Sequence, residues 1–237
     1  YRIDGKLLLD GATAAIPTGH KVGLVGRNGV GKTTLLKLLL GQLELESGSI
    51  RVPRDARIGT VAQEAPSGEQ SLVETVLRAD LERAALMGEA DETADPNRIA
   101  EVQTRLADID AHSAPARAAI ILAGLGFSED EQEGPCSALS GGWRMRVALA
   151  GLLFSEPDLL LLDEPSNHLD LEAALWLESF LKSYRASLIV VSHERDLLNN
   201  VVDTILHVER GKTTLYAGNY DQFERQRRER LAQAEAS

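Results

Sequence analysis

Cysteine is nearly missing from this chain, with one thiol, Cys136, among 237 residues. No disulfide can close within it, and a lone thiol without metal-ligand spacing around it points to a reducing compartment, with the cytoplasm as the expected location. Long apolar runs are missing too. Runs such as Leu159 to Leu162 and Leu188 to Val191 fall far short of the roughly 20 residues a membrane helix requires. There is no low-complexity tract and no internal repeat. Basic charge is in deficit: 36 acidic against 25 basic residues give a net charge of −11, which excludes a surface that wraps nucleic acid over its whole extent and leaves room only for a local basic patch. The chain also lacks an initial methionine, beginning at Tyr1, so a piece of a longer protein is expected. What is present is 43% apolar and 26% charged, the balance of a globular chain. Its length suffices for one sizeable core carrying an inserted subdomain.

The tetrapeptide GKTT occurs twice, and its surroundings separate the two copies. In VGLVGRNGVGKTTLLKLLLG, Lys21 to Val25 reads as a buried strand and Thr33 to Leu40 as a helix. Between them GRNGVGKT sets Gly26, Gly31, Lys32 and Thr33 at the GxxxxGK[ST] spacing of a phosphate-binding loop. Glycines let successive backbone N–H groups turn toward one point, and the helix start adds its positive dipole end. Lys32 supplies a point charge for the outer phosphates, and Thr33 offers a hydroxyl to Mg²⁺. The second copy, in ILHVERGKTTLYAGNY, has Leu206 where the first glycine belongs, and residues favouring strand follow it. Thr204 to Val208 and Lys212 to Tyr216 are predicted to pair as a hairpin around Glu209, Arg210 and Gly211.

DLLLLDEPSNHLD, Asp158 to Asp170, places a four-leucine strand before Asp163 and Glu164. A strand this uniformly apolar belongs to a parallel sheet buried on both faces, and ligands of such sheets sit beyond the carboxyl ends of the strands. Asp163 is then expected to reach the Mg²⁺ region and Glu164 to take a proton from an attacking water. A solvated strand end is the plain alternative. The strand Ser187 to Val191 ends in Ser192 and His193, and His193 is expected to hydrogen-bond a γ-phosphate. Gln63, after a strand over Arg57 to Ala62, carries an amide oxygen suited to Mg²⁺ or to positioning water, though many strands simply end in glutamine. LSGGWRMRVALAGLLF, Leu139 to Phe154, reads as a helix with Ser140 as its N-cap and Gly141 and Gly142 opening the backbone, a second anion-binding helix start or a simple cap. Between Gln63 and Leu139, Leu72 to Met87 and Pro96 to Ile109 show helical apolar spacing, with Asp95 before Pro96 as a start signal. RQRRER, Arg225 to Arg230, reads as a solvated helix face or the beginning of an RNA-facing one.

In this order GRNGVGKT, Gln63, LSGGW, LLLLDEPSNHLD and SHERD resemble the ATP-binding cassette ATPases, over essentially the whole chain. Trp143 after LSGG, SNHLD at Ser166 to Asp170, and YAGNYDQFERQRRERL from Tyr216 to Leu231 resemble the ABC-F branch: two cassettes on one polypeptide, no membrane domain, and action on ribosomes. The resemblance implies an α/β fold with a phosphate-loop ATPase core, a mostly parallel sheet, an N-terminal antiparallel β part and an inserted helical subdomain. It implies a cassette over residues 1–215 with the insertion at about 66–155, and the start of a helical interdomain linker over 216–237. ATP and Mg²⁺ are the implied cofactors. The phosphates would lie on Gly26, Arg27, Asn28, Gly29, Val30, Gly31, Lys32, Thr33 and Thr34. Thr33, Gln63 and Asp163 would serve the metal, and Glu164, His193, Gln63 and Lys32 the chemistry. Ser140 and Gly142 would contact ATP on a second, head-to-tail cassette, and Asp170 would sit at that junction. The family's adenine-stacking aromatic falls at Ile3, with Tyr1 two residues earlier, and Ser166 keeps the hydroxyl of a common threonine. The implied partners are the second cassette and the ribosome with its rRNA and tRNA, the insertion forming the arm that touches it. The ATP-binding subunit of a membrane transporter is the competing reading.

Overall fold

The structure, a computed structural model, describes residues 2–3, 6–7, 9, 11–29 and 31–235. Tyr1 and Val30 lie outside the described residues, and of Ile3 only the backbone is described. The chain divides into two compact units, one formed by residues 1–60, 157–165 and 178–237, the other by residues 61–156 and 166–177.

Among the described residues the first unit has eight strands: β1 (Arg2–Ile3), β2 (Lys6–Leu7), β3 (Lys21–Val25), β4 (Ile58–Thr60), β5 (Leu159–Asp163), β6 (Ser187–Val191), β7 (Thr204–Glu209) and β8 (Lys212–Ala217). β1 and β2 pair antiparallel, and the other six form one sheet in the order β4-β5-β6-β3-β7-β8. Every pairing in that sheet is parallel except the β7–β8 hairpin. The hairpin turn is the dipeptide Arg210–Gly211, both at positive φ (51° and 77°), with Glu209 already paired to Lys212. Such a two-residue turn matches the twist of the strands it joins. Apolar side chains bury the central strands on both faces: Val22, Leu24, Leu161, Ile189, Val191, Leu206 and Val208 form one cluster on one face with Leu36 of α1 (Lys32–Leu39), and Leu160, Leu162, Leu188, Val190 and Ile205 are fully buried on the other. Each fully buried aliphatic side chain there contributes about 1.5–3 kcal/mol. Gly23 is fixed by space, because a Cβ there would stand 2.9 Å from both Ile205 and Leu198 side chains.

Register decides where the chemistry falls. Leu24 lies opposite Val191 and Val191 opposite Asp163, so β3, β6 and β5 all end at one edge of the sheet.

The second unit is helical: α2 (Leu72–Leu77), α3 (Leu81–Glu92), α4 (Pro96–Asp108), α5 (Ala114–Gly124), α6 (Glu129–Glu133), α7 (Gly141–Ser155) and the first half of α8 (Leu171–Ser183). α2, α5 and α7 pack on one another and bury Leu72, Val76, Ala118, Leu122, Ala150 and Leu153 completely. The continuous helix expected over Leu72 to Met87 is in fact two. Asp80 accepts a hydrogen bond from Arg83 N at 3.0 Å and so caps a new helix, which the unbroken apolar spacing concealed. Asp95 caps α4 ahead of Pro96 as expected. α3 and α4 form a side pair with a small core of Val102, Leu106 and Ala111 and exposed ion pairs from Arg98 to Glu89 and Arg105 to Glu82. The remaining helices, α9 (Arg195–Val201) and α10 (Tyr220–Glu235), belong to the first unit.

Candidate active site

The loop after β3 is shaped by its glycines. Gly29 and Gly31 stand at φ 77° and 106°, a left-handed backbone that side-chain-bearing residues adopt only with strain. Gly31 is the N-cap of α1 and caps it with no side chain, so the orphan N–H groups of that first turn are left for an anion. Lys32 is nearly buried and folds its ammonium back onto Gly26 O at 2.7 Å. It forms no ion pair with any described residue. A buried ammonium held by a single carbonyl keeps donors to spare for a ligand's negative charge.

Across the same sheet edge the Thr33 hydroxyl donates to Asp163 Oδ2 at 3.5 Å. Glu164 follows in a left-handed conformation, φ 48°, a strained backbone of the kind that gathers at functional sites. Its N–H donates to Val191 O at 2.8 Å, tying β5 to the end of β6. His193 N donates to Glu164 Oε2 at 3.3 Å. The imidazole Nε2 stands 3.2 Å from Glu164 Oε1, close enough for a charge contact but misaligned for a hydrogen bond, so that buried oxygen has no hydrogen-bond partner. These groups line one cleft of about 330 Å³ with Asn28, Gly29, Gly31 and Thr34.

This donor set fits a triphosphate with Mg²⁺. The loop and helix start offer bare amides, an ammonium and the Thr33 hydroxyl, and the opposite wall offers two carboxylates, one of them with an oxygen that has no hydrogen bond. Among the described residues no three His, Cys, Asp or Glu side chains cluster as a metal site. Thr33 and Asp163 alone suit an ion that takes its other oxygens from phosphate and water, as Mg²⁺ does.

A larger cleft of about 640 Å³ adjoins it. This one shares Lys32 and His193 and is walled by Gly26, Arg27, Arg195, His207 and Tyr220. It contains neither Asp163 nor Glu164, so the smaller cleft is the one with the means for chemistry. Arg195, His207 and Tyr220 come from three separate elements and carry no spacing by which the sequence reveals them.

The other expected residues, Gln63, Ser140, Gly142 and Asp170, belong to the second unit, and Gln63 is exposed there. Ser140 sits at the N-cap of α7 as expected, though its hydroxyl makes no capping hydrogen bond. Cβ atoms built on Gly141 and Gly142 would meet nothing within 4 Å, so this turn presents open backbone. Asp170 is the true cap of its neighbourhood, its Oδ1 accepting from Ala173 N at 2.9 Å at the start of α8. That N–H and then the Arg146 guanidinium hold the Asp170 carboxyl below the usual carboxylate range.

Residues 9–167 match the family described as ABC transporter, and residues 206–237 match a second family of the same description. The chain is 49% identical to the Probable ATP-binding protein YheS of Escherichia coli K12 over 234 residues, which is 98% of this chain and 37% of that one. It is 42% identical over 238 residues to human ATP-binding cassette sub-family F member 3, covering 95% of this chain and 33% of that one. The chain thus spans little more than a third of these relatives. Among solved structures, one described as the ATP binding subunit of an ABC transporter superposes with a TM-score of 0.68 at 19% identity, covering 94% of this chain and 88% of its own. At that identity the likeness speaks for the fold alone.

Proposed function

Because this chain belongs to the ATP-binding cassette family, with F-type relatives along nearly its whole length, we propose that it is one Mg²⁺-dependent ATPase cassette of a pair. In this reading it is the first cassette of a longer ABC-F polypeptide, and nucleotide-driven pairing is coupled to ribosome binding and so to translation. The observation that carries the reading is the meeting of Lys32, Thr33, Asp163, Glu164 and His193 in one cleft. Residues 1–215 act as the cassette and 216–237 as the start of the linker, in a cytoplasmic protein. No helix among the described residues is long and apolar enough to cross a membrane.

The residues divide the work. Amides from Gly26 to Thr34 and the Lys32 ammonium hold the phosphates. Thr33 and Asp163 would hold Mg²⁺, which would supply positive charge to offset the negative charge that builds on the phosphates. Glu164 takes a proton from water as the water oxygen bonds to the γ-phosphorus and the bond to the β-phosphate oxygen breaks, leaving ADP and phosphate. His193, already touching Glu164, hydrogen-bonds the γ-phosphate and orients the base. Ser140 and Gly142 face the nucleotide of the opposite cassette, a role supported by the open backbone at the start of α7.

Glu164→Gln in the full-length protein is expected to lower kcat by about 10²–10⁴-fold while ATP affinity stays unchanged, and to recover ribosomes in an ATP-dependent pull-down. Parent-like turnover removes Glu164 as base. Recovery of a membrane permease in place of ribosomes favours the transporter-subunit reading, which shares the same motor chemistry.

A further inference from the structure

A second constellation lies wholly within the helical unit. Arg146, on α7, is only 7% exposed. Its guanidinium donates through Nε to His168 O at 3.0 Å and through Nη1 to Leu125 O at 2.9 Å and Asp170 Oδ2 at 3.0 Å. The Trp143 ring covers it, with the guanidinium carbon 4.0 Å from the ring centroid, and Phe127 meets Trp143 edge to face at 5.1 Å. Gly126 closes the other side. It sits at φ 102°, where a Cβ would come within 3.0 Å of Arg146 Nη1 and 3.4 Å of the Trp143 ring.

The partners reveal the purpose. A buried ion pair is weak evidence for stability, since an apolar side chain of similar volume often serves as well. Here, however, the fork ends on two loop carbonyls and on Asp170, whose other oxygen caps α8. These contacts order the segment from His168 to Asp170 rather than fill space, and that segment begins soon after Glu164 in the chain. Lysine cannot copy the arrangement, because a single ammonium lacks the planar fork that reaches all three acceptors.

We infer that Arg146 is a positioning residue that locks the His168–Asp170 segment to α7, so that Asp170 and the Ser140–Gly142 turn face a partner cassette as one fixed surface. The inference rests on the paired-cassette reading above. In the full-length protein, Arg146→Lys and, as a second variant that keeps a capping oxygen, Asp170→Asn are compared with the parent. Amide hydrogen exchange over 168–174 is expected to quicken by about tenfold, with 21–39 unchanged. The kcat per nucleotide-binding site, counted by ATP-analogue stoichiometry, is expected to fall by about tenfold to a hundredfold with KM and analogue affinity unchanged. The double variant is expected to be no worse than the poorer single. Unchanged exchange overturns the lock, and faster exchange with intact turnover overturns its catalytic consequence. A parent that neither binds nor hydrolyses ATP overturns the functional reading and the positioning role with it, while the exchange result still decides whether the lock exists.

Discussion

His207 shows how one side chain sets a pH dependence. It lies half-buried on β7, 6.4 Å from the Tyr216 ring and 5.1 Å from Phe223. Burial first, and then the nearby Arg227 guanidinium, hold its pKa below the ordinary histidine value, with Glu209 pulling partly the other way. The unfolded chain therefore takes up this proton first, near pH 6.5. Stability contributed by the neutral ring is complete above that pH, declines as pH falls through it, and stops declining once the folded imidazole is protonated too. Thermal midpoints measured from pH 7.5 to 5.5 should show this loss in the parent. His207→Phe, which suits the aromatic surroundings, should lack that component. Parallel pH profiles for the two proteins rule His207 out as its source.

The packing of α5 against α8 depends on a missing side chain. A Cβ on Gly124 would lie 2.0 Å from the Trp176 ring, so the two helices touch through glycine and indole. Gly124→Ala gains up to about 1 kcal/mol of helix propensity, but overpacking costs about 1–3 kcal/mol. The variant is expected to melt lower, and Trp176→Ala should cost less in the Gly124→Ala chain than in the parent; a higher melting point refutes the contact. Glycine at a helix end reads as a C-cap in sequence, so this contact leaves no signal there. By contrast β3, β5 and β6 were legible because burial on both faces imposes an apolar run, and the glycine-shaped loop between β3 and α1 was legible because its glycines stand at fixed spacing before Lys32. Glu164 and His193 were each foreseen at strand ends. Their mutual contact was not, nor was the Arg146 network, because pairings between distant elements follow from register and packing rather than from local pattern. The break at Ala79 and Asp80 escaped for a related reason: apolar period runs through it, and only the cap made by Asp80 shows where one helix stops.

The two GKTT copies test the assignment of the nucleotide in the intact protein. Lys32 is nearly buried in the carboxylate-lined cleft, whereas Lys212 is exposed at the start of β8, beyond the Arg210–Gly211 turn. A ligand that binds the native state alone stabilises it by RT ln(1 + [L]/Kd), about 2.7 kcal/mol at a hundredfold excess over Kd. For a chain of this length that corresponds to a rise of about 5–10 °C in the melting temperature. With two compact units in the chain, melting in more than one step is expected, and the rise belongs to the step that unfolds the sheet carrying Gly26 to Lys32. Calorimetry in a series of Mg²⁺-ATP concentrations should show it in the parent and in Lys212→Ala, and should show none in Lys32→Ala. Equal shifts in both variants, or loss in both, contradict the assignment of the phosphates to the loop after β3, since the hairpin copy has neither an α-helix start nor a carboxylate wall to hold them.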